Sequence, residues 1–240
     1  MLNTWYDFGE GKGGTIIDLV IAQFNTDVSG ALEKLESAFC GGITAPAPRL
    51  VEPKIKESEY FITDIKPLSY LPLISYLNER KIDLQIAKKY VIELYYKKGS
   101  DSYFTIGFEN DSGGYETRNS LFKRSFSPKD ITTIQGNLDS KKILIFEGFI
   151  DFLSYLTYIQ KQELDDHIII LNSVSLYQMA IEKIKKISPS DLLFYLDNDE
   201  AGEKAKKKII RETGLKGHSQ NSYYSEYNDL NDFLRGIRND

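Results

Sequence analysis

An α/β fold, with a central and mainly parallel sheet flanked by helices, is predicted for residues 138–240 of this 240-residue chain. Three observations predict it. Residues 143–146, 168–171 and 192–196 are short, continuously apolar runs, and none alternates with polar residues as a strand with one wet face would. Each run is followed by a stretch with helical spacing. Strands buried on both faces and joined through helices make a parallel sheet. Right-handed crossovers then place all three strand C-termini on one edge, where open α/β sheets bind ligands.

The elements follow in order. Residues 1–44 open with the glycine-rich turn Gly9-Glu10-Gly11-Lys12-Gly13-Gly14, and helices are expected over 15–24 and 28–38. Residues 45–66 carry Pro46, Pro48, Pro53 and many charges, which reads as a linker or as an extended strap on another domain. Residues 67–137 form an α+β region. Two helices are expected within 71–90, broken at Asn78-Glu79-Arg80-Lys81. β-rich runs follow at 91–96, 103–108, 115–118 and 121–126, separated by turn chemistry at Lys98-Gly99, Asn110-Asp111 and Gly113-Gly114. A twisted antiparallel sheet is the reading there. In residues 138–240, helices are expected from the first strand through 158, then over 176–187 and 201–213.

Composition narrows the class. Hydrophobic residues are 41% and charged residues 27%, as in ordinary globular proteins. No apolar run is long enough to span a bilayer, and the N-terminus shows no signal-peptide pattern. Cys40 is the single cysteine, so an internal disulfide is impossible and a cytoplasmic location without membrane attachment is expected. The net charge of −5 argues against non-specific nucleic-acid binding by the chain as a whole, although basic residues are dense over 118–142 and 183–211.

Carboxylates gather at the predicted strand ends. The first strand runs into Glu147-Gly148-Phe149-Ile150-Asp151, the third into Asp197-Asn198-Asp199, and a later segment reads Asn228-Asp229-Leu230-Asn231-Asp232. Singly, each has a structural explanation; Asp199 and Asp229 could cap helices. Together, carboxylates on one edge repel unless a cation or shared protons compensate. Hard oxygen ligands at this density suit Mg²⁺ or Mn²⁺, which stabilise phosphoryl oxygens and activate attacking oxygens.

Glu147-Gly148 and Asp197-Asn198-Asp199, in that order and on those elements, resemble the Toprim domain of bacterial primases, topoisomerases and some nucleases. The resemblance implies Glu147 as general acid/base and Asp197 and Asp199 as metal ligands, with Asp151 and Asp229 as further acidic metal-site positions of primase-type members. Asn172-Ser173-Val174-Ser175 resembles the primase loop that follows the second strand. Upstream, Tyr76-Leu77-Asn78-Glu79-Arg80-Lys81-Ile82, Ile106-Gly107-Phe108 and Gly113-Gly114-Tyr115-Glu116-Thr117-Arg118-Asn119 resemble the N-terminal subdomain of the primase core. That likeness implies nucleic-acid binding by Arg118, Lys123 and Lys129; exposed sheet and loop charges are the plainer alternative.

Residues 5–18 resemble the last third of the zinc-binding domain that precedes primase cores. With one cysteine, and histidines only at His167 and His218, no ligand set exists and no zinc is expected. Nor does Gly9–Gly14 meet the P-loop pattern, because Gly13 follows Lys12. The domain expectation is a zinc-domain remnant over 1–44, a linker over 45–66, a primase-core-like subdomain over 67–137 and a Toprim domain over 138–240. The resemblance implies a mobile-element DNA-replication enzyme that uses Mg²⁺ or Mn²⁺ for primase-like nucleotidyl transfer. Its partners would be single-stranded DNA, nucleotides and a replicative helicase. A metal-dependent nuclease and a non-catalytic nucleic-acid-binding protein stay open, since the acidic cluster serves either phosphoryl-transfer reaction.

Overall fold

The computed structural model describes residues 4–7, 12–40 and 60–238. The chain divides into two compact units, Met1–Glu57 and Ser58–Asp240. In the first, β1 (Thr4–Asp7) pairs antiparallel with β2 (Lys12–Thr15), and α1 (Ile16–Phe24) and α2 (Val28–Cys40) follow. Thr15 starts α1 with a reciprocal cap: its Oγ1 accepts the Asp18 N–H, and the Asp18 carboxylate accepts the Thr15 N–H at 2.6 Å. The tip of the glycine-rich turn, at 8–11, lies outside the described residues.

The second unit opens with β3 (Tyr60–Pro67), α3 (Leu71–Glu79) and α4 (Leu84–Tyr90). The helices part where Lys81 turns left-handed, and Asp83 caps α4 by accepting the Gln85 and Ile86 N–H groups. Next come β4 (Ile92–Lys98), β5 (Asp101–Glu109), β6 (Tyr115–Arg118) and β7 (Lys123–Phe126), completing a five-stranded antiparallel sheet in the order β3-β4-β5-β6-β7. The segment read as a linker or an extended strap enters the sheet from residue 60 onward, where β3 forms its edge. Tyr60 and Ile62 turn inward against a small aromatic core around Tyr96 and Phe126, whereas Asp64 and Lys66 stay exposed, as suits an edge strand. Residues 45–59 lie outside the described residues.

Beyond this sheet run β8 (Thr132–Ile134), β9 (Lys142–Phe146), α5 (Phe149–Ile159), β10 (His167–Ile170), α6 (Tyr177–Ile187), β11 (Asp191–Tyr195), α7 (Glu200–Thr213), β12 (Lys216–Ser219) and α8 (Leu230–Arg235). The sheet order is β12-β11-β9-β10-β8, with every neighbour parallel except β8. This is the mainly parallel, helix-covered sheet that the apolar runs predict. Leu144, Phe146, Ile168 and Ile170 face α5, while Ile143, Ile145, Ile169 and Leu171 face α6 and α7. Both faces are buried, so no strand alternates. The α5 core is shared with the antiparallel sheet: Leu77, Ile106 and Phe108 join it, and Phe108 stacks on Phe149 at 5.1 Å. The second unit is therefore one packed body, with the C-terminal edge of β9 and β11 facing β6 and β7.

Candidate functional site

β9 delivers Glu147 and Gly148 to the strand-end edge, and α5 begins at once, so Asp151 sits in its first turn. Gly148 keeps this corner open: a Cβ there would meet Asp151 Oδ2 at 3.3 Å. β11 ends two residues before Asp197. The next loop is knotted to the segment before α8, because the Asn198 side chain donates to the Tyr224 and Tyr227 carbonyls, at 2.9 and 2.7 Å, and its N–H donates to Asn228 O. That knot carries Asp229 beside Asp197. Tyr224 donates its hydroxyl to Leu196 O at 2.9 Å and anchors the knot in the core.

Oxygens of Asp151, Asp197 and Asp229 lie within 4.8 Å of one another. Glu147 adjoins them, accepting the Asp197 N–H at 3.3 Å. Burial, then Glu147, Asp229 and Asp199, push the Asp197 carboxyl from an ordinary 3.8 up to about 7. Asp151 is also driven well upward, by burial and then by Asp229 and Asp197. Burial raises Glu147, and the Asp197 N–H holds it back. Such a set favours protons or a cation over three bare charges, and its all-oxygen donors fit Mg²⁺ or Mn²⁺.

Asp199 stands apart. It caps α7, accepting the Gly202 N–H at 2.7 Å, and it is absent from the close carboxylate set. Asp229 does two jobs: one oxygen caps α8 by accepting the Asp232 N–H at 2.7 Å, and the residue still belongs to the trio.

The facing wall is basic. Arg118 and Lys123 are cross-strand neighbours on β6 and β7, and both line a cleft of about 360 Å³ with Glu147, Asp151, Asp197 and Asp229. Burial lowers the Arg118 pKa, opposed by Tyr76, Asp151 and Glu116. Arg80 also lines this cleft, over the Tyr76 ring, with Nη1 donating to Asn231 Oδ1 at 3.0 Å. Arg80 falls at the expected helix break and within the primase-like run 76–82, but it was not among the expected site residues; its partner comes from α8, 151 positions away. Lys129 is not in this cleft. It lines a neighbouring one of about 250 Å³ with Glu116, Asn172 and Ser173, and Lys123 borders both.

Residues 144–234 match the family model described as Toprim-like. The chain carries a Toprim-like domain. Its strand-end carboxylates are those that form the acidic side of the cleft. Residues 62–127, the sheet opposite the Toprim domain, match a model described as a domain of unknown function, DUF8464. No curated protein matches the sequence. Among solved structures, the chain is similar to the primase fragment of the bacteriophage T7 primase-helicase protein, at 19% identity over 67% of this chain and 70% of that one, with a TM-score of 0.49. It is also similar to the Aquifex aeolicus primase with its zinc-binding and RNA polymerase domains, at 14% identity over 98% and 70%, with a TM-score of 0.49. Among the described residues no helix is long and apolar enough to cross a membrane.

Proposed function

We propose that this chain is a metal-dependent nucleic-acid enzyme that joins nucleotides on a single-stranded DNA template, as a primase does. The observation that carries the reading is the pairing of opposite walls. Three carboxylates within 4.8 Å face Arg80, Arg118 and Lys123 across one cleft. A carboxylate set alone repels phosphate, and a basic wall alone binds it without chemistry. Facing each other, they can hold a phosphate chain between fixed cations and a metal position.

Asp151, Asp197 and Asp229 would hold Mg²⁺ or Mn²⁺, which when bound neutralises phosphoryl charge and favours the attacking oxygen. The chain's own residues do the rest. Arg118 and Lys123 bind phosphate oxygens from the β-rich wall, and Arg80, oriented by Asn231, adds a planar donor beside them. Glu147, kept basic by burial, accepts at its carboxylate the proton of the attacking 3′-hydroxyl, whose oxygen bonds to the α-phosphorus of the incoming triphosphate as the bond to pyrophosphate breaks and pyrophosphate leaves. Burial of Asp197 and Arg118 at the cleft strengthens these interactions over their value in open water.

The test is incubation of the protein with single-stranded DNA, labelled nucleotides and Mg²⁺ or Mn²⁺. Template-dependent oligonucleotides are expected, and Asp197→Ala is expected to abolish them. Cleavage of the strand without synthesis would overturn nucleotidyl transfer in favour of a nuclease. Binding without either reaction would leave a non-catalytic role.

A further inference from the structure

The smaller cleft beside the acidic one contains a carboxylate that the chain leaves unsatisfied. Glu116 is only 7% exposed, yet it lines this cleft, and among the described residues no hydrogen bond or ion pair reaches its side chain. Three cations lie close enough to act on it through space: Lys123, Lys129 and Arg118. A nearly buried carboxylate without a hydrogen bond is costly, and as an ionised group it can only accept. Its missing partner is a donor supplied from the cleft.

Placement says what kind of molecule supplies it. Glu116 and Arg118 are two residues apart on β6, so they share a face and their side chains emerge about 6.8 Å apart along the strand. Directly opposite, on β7, stand Ser125 and Lys123. Arg118 and Lys123 open into the acidic cleft; Glu116 and Ser125 open into its neighbour, and Lys123 borders both. The far side of the smaller cleft comes from the Toprim domain, through Ser173 and the apolar Leu176. A molecule whose phosphates occupy the acidic cleft would therefore extend its next portion over Leu176 and against Glu116.

We infer that this second cleft is a nucleoside-recognition pocket in which the Glu116 carboxylate accepts a hydrogen bond from an N–H or O–H donor of the incoming nucleotide. The donor is a sugar hydroxyl or a base amine. Leu176 supplies apolar contact, Lys129 adds a cation within the pocket, and Lys123, which borders both clefts, meets the phosphate side. The inference rests on the nucleotidyl-transfer reading and adds to it the residue that selects the substrate.

Calorimetric titration of the whole chain in Mn²⁺, with ribo- and deoxyribonucleoside triphosphates of each base, tests it. Wild-type protein is expected to prefer some nucleotides over others. Preference for ribonucleotides across all bases identifies the sugar hydroxyl as the donor, and preference for one base in both sugar series identifies the base amine. Glu116→Gln is expected to reduce that preference by about tenfold, since the acceptor loses the charge that strengthens its hydrogen bond, while Mn²⁺ affinity stays at the wild-type value. Glu116→Asp keeps the charge but retracts it, and is expected to show a smaller loss; it carries the test if the glutamine variant does not fold. Equal affinity of wild type for every nucleotide, or undiminished preference in both variants, overturns the pocket and leaves nucleotidyl transfer standing. Absence of nucleotide binding while Mn²⁺ still binds overturns both.

Discussion

Taking water away from Glu147, Asp151 and Asp197 turns them into stronger bases than free carboxylates, and this links the protein's stability to pH. The unfolded chain releases the Asp197 proton near 3.8, whereas the folded chain keeps it up to about 7. Between those values the unfolded state binds fewer protons, so stability is full below the lower value and falls as pH rises through the upper one. One group accounts for about 1.4 kcal/mol per pH unit inside its window. Metal-free protein is therefore expected to melt at progressively lower temperature from about pH 4 to pH 7. Mn²⁺ should restore the loss at neutral pH and do little at pH 4. A melting temperature that climbs with pH in the presence of a chelator would contradict this. The same scale separates two residues that look alike in the sequence. Asp199→Ala removes a helix cap and is expected to cost about 0.5–2 kcal/mol in chemical denaturation, while Asp199→Asn keeps the cap and costs little. Asp197→Ala should instead abolish Mn²⁺ binding. That Glu147, Asp197 and Asp229 would gather at one edge was legible because each lies at the end of an apolar run or before a helix. That the Asp199 carboxylate caps α7 and lies outside the close set was not, because it depends on how the loop turns.

Helix α8 is short, but the buried side chain of Asn231 connects it to two other helices. Its Nδ2 donates to Arg80 O at the end of α3, at 2.9 Å, and to Ser154 Oγ in α5, at 2.8 Å. Its backbone N–H donates to Asp151 Oδ1 at 3.3 Å. Asn231→Ala would leave donors and acceptors without partners, and a loss of about 1–3 kcal/mol is expected in urea denaturation. Combining it with Ser154→Ala should cost less than the sum of the two, because they share one bond. Additive effects would show that the contact carries no energy. At this scale, the sequence pattern reveals strands that are buried on both faces. β9, β10 and β11 read clearly because every residue faces one core or the other. β3, β8 and β12 were missed for a common reason. They lie at sheet edges, they carry polar residues such as Asp64, Thr132 and His218, and what makes them strands is a backbone ladder to a neighbour far away in the chain.

Across the molecule, a net charge of −5 coexists with a basic wall, since the acidic residues of the cleft come from residues 147–229 and the basic ones from residues 80–123. Single-stranded DNA is expected to bind weakly, with log K falling by about 0.7 per phosphate contact against log salt. Lys123→Ala should flatten that slope and weaken all sequences alike; Asp197→Ala should leave binding intact or slightly stronger. Unchanged binding in Lys123→Ala and Arg118→Ala at every salt concentration would show that this wall does not hold the strand. The parallel sheet was legible from three apolar runs, but its join to the antiparallel sheet was not, because no local pattern encodes contacts such as Phe108 on Phe149. That join includes β8. Residues 132–134 fall between the two family matches, which end at 127 and begin at 144, yet they pair with β10 and close one side of the parallel sheet. A fragment cut at the family boundary would begin inside β9 and strip β10 of its neighbour. Its newly bared strand would be Ile168-Ile169-Ile170, a run with no charge to discourage a second copy from pairing with it. Such a fragment is expected to precipitate, whereas one beginning at residue 58 should not.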